Sequence, residues 1–125
     1  MITRQQEWAQ KAVEKVKSMK ESDEESDYKS FCKSFPSMIH NCGLCQALAF
    51  ADAKKNDNYL KHLKYVLNNP ELLEQSRAVD ILEYQKLTRD TISAATWLKR
   101  YAEAFLKSDE DEDENEDGGV QNASM

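Results

Sequence analysis

Glycine and proline are scarce in this chain, three and two among 125 residues. With few alternating β-branched runs as well, there is no convincing strand, and the sequence points to helices throughout. Long hydrophobic runs are missing too: none approaches the ~18 apolar residues of a membrane span. Met1 to Glu7 holds no apolar core of a secretion signal, so a cytoplasmic chain without membrane contact is expected. Asn122-Ala123-Ser124 matches a glycosylation sequon only by chance in that setting. Cysteines number three, an odd count that argues against an exported disulfide scaffold. Histidines number two, and neither a Gly-rich phosphate loop nor H-E-x-x-H occurs.

Basic residues are missing from two stretches. Glu21 to Asp27 and Asp109 to Asp117 together hold thirteen of the 23 acids and no Lys or Arg. The other ten acids face all 17 basic residues, so a net charge of −6 hides a body carrying +7. Such a body attracts phosphate backbones through Coulomb energy and counterion release, which the overall charge alone would have argued against.

The length suits one domain with one core. An all-α bundle of five to six helices is expected over residues 1–107, followed by a disordered acidic tail over 108–125. Trp8, Ala12, Val16 and Met19 share one face of a first helix from about Arg4 to Met19. A second begins at Tyr28 behind an Asp27 cap and is kinked or divided at Pro36. Leu44 to Ala51 reads as a buried central helix within Gly43 to Lys55, and Asn56 or Asp57 caps the next. Asn69-Pro70 opens a short helix through Gln75. The last and longest runs from about Val79 to Lys107, its apolar stripe carrying Tyr84, Leu87, Thr88, Thr91, Ala95, Leu98, Ala102 and Phe105.

Chemistry-bearing motifs are weak. Cys42-Gly43-Leu44-Cys45 is a C-x-x-C, but zinc normally takes four ligands in two spaced pairs, and Cys32, His40 and His62 form no second pair. A redox reading would want a βαβ context, which is absent, so buried structural cysteines are favoured. Nucleophilic catalysis would need a positioned base and an orienting third group, and two histidines leave little from which to build them. No catalytic residue, metal ligand or cofactor is assigned.

The basic residues are better ordered. Projected at about 100° per residue from Tyr84, the positions Lys86, Arg89, Ser93, Thr96, Arg100 and Lys107 fall roughly between 120° and 200°, opposite the apolar stripe. No acid shares the arc. Trp97 and Tyr101 lie just beyond its edge, so an aromatic surface borders a cationic ridge, a pairing suited to phosphate contact with stacking. Solvent faces of helices are often Lys/Arg-rich as well. Arg4, Lys11 and Lys15 form a second ridge, read as a solubilising face with a Glu7–Lys11 pair. Lys54 and Lys55 at the end of the central helix serve either its macrodipole or a phosphate, and Lys61 shares an exposed side with Tyr65.

Pro36-Ser37-Met38-Ile39, Gly43-Leu44, Gln46 to Phe50, Glu83 to Thr88 and Trp97 to Ala102 together resemble the small helical subunit of the type III-B CRISPR effector, the Cmr complex. The resemblance covers about Tyr28 to Phe105. Cys42, Cys45 and the acidic tail depart from its pattern, the cysteines in a way that speaks against a thiol function. The resemblance implies an all-α, non-catalytic subunit of the prokaryotic cytoplasm. Its copies stack in a minor filament beside the backbone and large subunits, lining the channel for crRNA and target RNA. It also implies that Pro36, Met38, Ile39, Gly43, Leu44, Leu48, Phe50, Tyr84 and Leu98 determine the fold, with a tight interhelical approach at Gly43. Trp97, Lys99 and Arg100 match its terminal motif and are candidates for RNA or subunit contact. Lys54, Lys55, Lys61, Lys86, Arg89 and Lys107 join them as RNA candidates from the helical reading. An adaptor or chaperone working through Asp109 to Asp117 is the alternative.

Overall fold

The structure, a computed structural model, describes residues 1–108. These form six α-helices and no strand: α1 (Arg4–Ser18), α2 (Glu25–Cys42), α3 (Leu44–Ala53), α4 (Asp57–Leu67), α5 (Leu72–Ala78) and α6 (Ile81–Phe105). Of the expected tail, all but Ser108 lies outside the described residues.

The helix α1 starts where its sequence says it must. The Thr3 hydroxyl accepts the Gln6 N–H and the Gln6 side chain accepts the Thr3 N–H, a reciprocal box that satisfies two otherwise orphaned donors. Trp8, Ala12, Val16 and Met19 are all buried, as their spacing requires. The longest helix, α6, lies at the centre and packs against α1, α2 and α4. It runs parallel to α1, since Gln5 bonds Trp97 near one end and Lys17 sits over Phe105 near the other. It runs antiparallel to α2, with Glu25 beside Lys107 and the α2–α3 junction beside Tyr84. Thr91, Ala94, Ala95, Leu98 and Ala102 form its buried seam, whose small residues allow neighbouring backbones to approach.

Several local expectations are corrected. Pro36 does not divide α2, which continues from Glu25 to Cys42 with Cys32, Phe35, Pro36 and Ile39 all buried; tertiary burial on both sides of the ring outweighs the one lost backbone bond. That helix begins before Tyr28, so Asp27 lies inside it rather than capping it. Asn56 precedes α4 without a side-chain cap bond. Pro70 stands in a turn before α5, where the Asn69 side chain accepts the Glu71 N–H, and α5 runs on to Ala78. Asp80 is extended and its carboxylate accepts the Glu83 N–H, so α6 starts at Ile81 instead of Val79. Phe50 is 42% exposed and not core, because α3 turns Leu44, Ala47, Leu48 and Ala51 inward. It borders instead an apolar groove of about 290 Å³ with Met38, Cys42, Gln46 and Ala47.

Gly43 ends α2 and begins α3 in a single residue at φ 87°, ψ 156°. A Cβ there would meet only the Tyr84 hydroxyl at 3.6 Å, an ordinary contact. The requirement for glycine is therefore conformational, not the tight approach of helices expected from the motif. The same Tyr84 hydroxyl accepts the Cys45 N–H at 3.0 Å, satisfying an amide in the first turn of α3 from the neighbouring helix. Sequence spacing could not pair residues so far apart in the chain.

Candidate nucleic-acid interface

The arc read from the α6 sequence is a real surface. Lys86, Arg89, Arg100 and Lys107 are exposed, Ser93, Thr96 and Lys99 half-buried. None of these basic side chains forms an ion pair with another described residue. Residues on the other side of the helix explain why: Thr91, Ala94, Leu98 and Ala102 bury themselves, and the ridge follows at the opposite azimuth.

Beside the ridge stands a column of rings. Trp97 stacks on Tyr101 at 5.8 Å between centroids and 20°, and Tyr101 on Phe105 at 6.1 Å and 18°. The i, i+4, i+8 spacing places them one above the other. The Trp97 indole N–H donates to Gln5 Oε1 at 2.7 Å, while the Lys17 ammonium lies 4.8 Å from the Phe105 centroid. The column is thus clamped to α1 and half-buried, with only part of its surface left for stacking.

Helix α1 differs. Arg4 bonds Asp90 at 2.8 Å and lies over the Trp8 ring at 4.8 Å. Lys11 and Lys15 reach over Tyr65 of α4, at 5.4 and 4.5 Å from its centroid, and the Tyr65 hydroxyl donates to Glu14 at 3.0 Å. These cations are held by tertiary partners across α4 and α6, where the sequence suggested a plain surface face with a Glu7–Lys11 pair. Tyr65, placed there beside Lys61, is their ring partner, a role that linear spacing does not reveal.

The remaining candidates lie elsewhere. Lys54 and Lys55 follow α3, both exposed; Lys54 sits 5.6 Å from the Phe50 ring and Lys55 adopts φ 59°. Lys61 is exposed on α4. The structure therefore brings Lys86, Arg89 and Arg100 onto one face of α6, leaves Lys107 past the helix end behind the extended Leu106, and leaves the α3–α4 lysines on other elements. Beside Lys86, a cleft of about 170 Å³ is lined by Gln75, Val79, Glu83, Leu87 and Asp90. A second, of about 250 Å³, opens where Arg4, Trp8 and Lys11 meet Asn68, Asn69 and Asp90.

Titratable groups inside the bundle serve its packing. The Tyr28 hydroxyl and His62 Nδ1 share a hydrogen bond of 2.6 Å within an aromatic cluster of Phe31, Phe35 and Tyr59. Desolvation, then the charges of Lys15 and Lys61, bring the His62 pKa down to about 4, so at neutral pH its ring is uncharged. Burial raises Tyr28 and Cys32 well above their usual ranges, leaving Cys32 an unreactive thiol. Cys42 is exposed at the end of α2 and Cys45 half-buried in α3. Among the described residues no three His, Cys, Asp or Glu side chains gather as a metal site. None of the helices there is long and apolar enough to cross a membrane.

Comparison with known proteins places this geometry. The profile of the family described as CRISPR-associated protein (Cas_Cmr5) matches residues 4–105. A curated relative, the CRISPR system Cmr subunit Cmr5 of Thermus thermophilus, is 35% identical over 113 residues, spanning 86% of this chain and 99% of that protein. The crystal structure of a Cmr5 family protein from the same organism superposes with a TM-score of 0.81 at 36% identity, covering 85% of this chain and all of the other.

Proposed function

The chain belongs to the Cmr5 family of CRISPR-associated proteins, and we propose that it is a non-catalytic structural subunit of a type III-B Cmr effector in the prokaryotic cytoplasm. Copies stack in a minor filament beside the backbone and large subunits. The exposed face of α6 contacts crRNA or target RNA through phosphates, with sequence recognition left to RNA pairing. The observation that supports RNA contact is the row of Lys86, Arg89 and Arg100 on α6, with Lys107 just past its end, whose charges form no ion pair with another described residue. Lys99 and the partly open Trp97 column border it, while Lys54, Lys55 and Lys61 extend the basic surface to other elements.

The test is Arg89→Glu combined with Arg100→Glu in the assembled complex. Both side chains are exposed, so the helical signal stays unchanged. The slope of log affinity for single-stranded RNA against log salt should fall by about 1.4, the loss of two contacts at ~0.7 each. Unchanged affinity across the salt titration removes the ridge from the RNA path.

A further inference from the structure

Two apolar surfaces lie open among the described residues, one convex and one concave. We propose that Ile81 and Leu82, at the start of α6 in one copy of the chain, insert into the groove between α2 and α3 of the next copy. The pairing deepens the stacking of copies proposed above and rests on that reading for its setting.

Exposure is the first argument. Leu82 and Ile81 are 73% and 66% exposed, the most open large apolar side chains described after Met1. The bundle does not use them, since the buried seam of α6 begins at Thr91. Single exposed apolar residues are ordinary, but an adjacent pair on a capped helix start, in a chain with a second open apolar patch, marks a contact surface.

The groove is the second. About 290 Å³ in volume, it is walled by Met38, Cys42, Ala47 and Phe50, with the Gln46 amide beside them. Its lining offers no charge for a polar ligand, and the pliant Met38 adapts to an inserted aliphatic side chain. The chain's own Leu82 is turned from it. At 100° per residue that side chain points about 160° away from Tyr84, whose hydroxyl meets Cys45 at the α2–α3 junction.

Charge is the third and gives the contact a direction. From Tyr28 to Ala51 the sequence holds no Asp or Glu, and the Lys54 ammonium lies 5.6 Å from the Phe50 ring at the groove's rim. Asp52, two residues past Phe50, points to the far side of α3. The inserted pair is flanked by exposed Asp80 and Glu83, with Lys86 a turn further on. Acids therefore meet a basic rim when Leu82 enters the groove, whereas two copies of the same patch would bring like charges together. Distinct complementary patches on one chain join copies head to tail.

The experiment is sedimentation velocity on the full-length chain without RNA, up to about 1 mM because a contact of one helix edge is small and weak between free chains. The wild type should grow past dimers as concentration rises. Leu82→Asp and Phe50→Asp should each weaken association at least tenfold with melting temperatures near the wild type, both sites being exposed. An equal mixture of the two variants should form dimers that grow no further, because only the groove of one and the apolar pair of the other survive. Lys54→Glu should weaken association, and adding Glu83→Lys should restore it. A wild type that stays monomeric at about 1 mM overturns the pairing, as does association that survives Leu82→Asp. Loss on Ile2→Asp in its place gives the groove to the N-terminus of a copy. Growth that stops at dimers overturns the head-to-tail form, and a mixture that stays monomeric overturns the complementarity. If copies associate but bind no RNA, the pairing stands and the RNA reading fails; if the complex assembles around a chain that never self-associates, the subunit reading stands and the pairing fails.

Discussion

Helices α1 and α6 carry similar rows of basic residues, run side by side in the same direction, and use their charges differently. On α1, Arg4 is tied to Asp90 and Trp8, and Lys11 and Lys15 lie over Tyr65. On α6, Lys86, Arg89 and Arg100 have no such partner among the described residues. A cation already seated on a ring or carboxylate must give up that contact to meet a phosphate, whereas an unpartnered one need not. Basic composition alone cannot distinguish the two rows.

The largest effect expected is a division of labour between them. Arg89→Glu with Arg100→Glu should weaken single-stranded RNA binding by roughly tenfold or more at low salt, with little change in melting temperature. Lys11→Glu with Lys15→Glu should do the reverse, costing about 1 kcal/mol of stability through the lost Tyr65 contacts and much less RNA affinity. Parallel RNA titrations and thermal melts measure both, and equal affinity losses from the two pairs would erase the distinction.

Next comes a change that touches neither row. Gly43→Ala forces a side chain into a glycine conformation and should cost about 1–3 kcal/mol in denaturant unfolding. If RNA affinity per folded molecule is retained, charge placement and fold stability are separable.

Tyr84→Phe is smaller. Loss of the acceptor for the Cys45 amide should cost about 1 kcal/mol. Equal stability would mean that water replaces the hydroxyl at the start of α3.

The smallest effect sits behind the α1 row. With its pKa brought from 6.5 down to about 4 in the folded state, His62 binds fewer protons folded than unfolded between those values. Its stabilising contribution is full above about pH 6.5 and is lost progressively as pH falls toward 4. Below that, the charged ring sits in a desolvated place and repels Lys15 and Lys61. His62→Gln should flatten the melting temperature across this window; an equally steep dependence in the variant assigns the slope to other groups.

Much of this was legible beforehand. The spacing of Trp8, Ala12, Val16 and Met19, or of Thr91, Ala95, Leu98 and Ala102, fixes which face is buried, because a helix repeats every 3.6 residues. That same periodicity located the α6 ridge. Helix ends were less legible: Asp27, read as a cap, lies inside α2, and Asp80, which caps α6, was placed inside a helix expected to start at Val79. Pro36, expected to kink or divide α2, does not divide it, because a local penalty is visible in sequence and the burial that offsets it is not. Phe50 was misplaced because the apolar run of α3 does not say which residues face a neighbour.

What the sequence determined by itself is whatever local periodicity and charge order encode: an all-helical chain, its buried stripes, and an acid-free cationic arc opposite the longest one. Tertiary structure alone decided which cations remain unpartnered, since that depends on Tyr65 and Asp90 arriving from other helices. It also decided that Tyr84 completes the start of α3 and that the start of α2 meets the residue following α6. The physical reason is common to all three: hydrogen bonds and ion pairs act over a few ångströms, and only folding brings residues tens of positions apart within that reach.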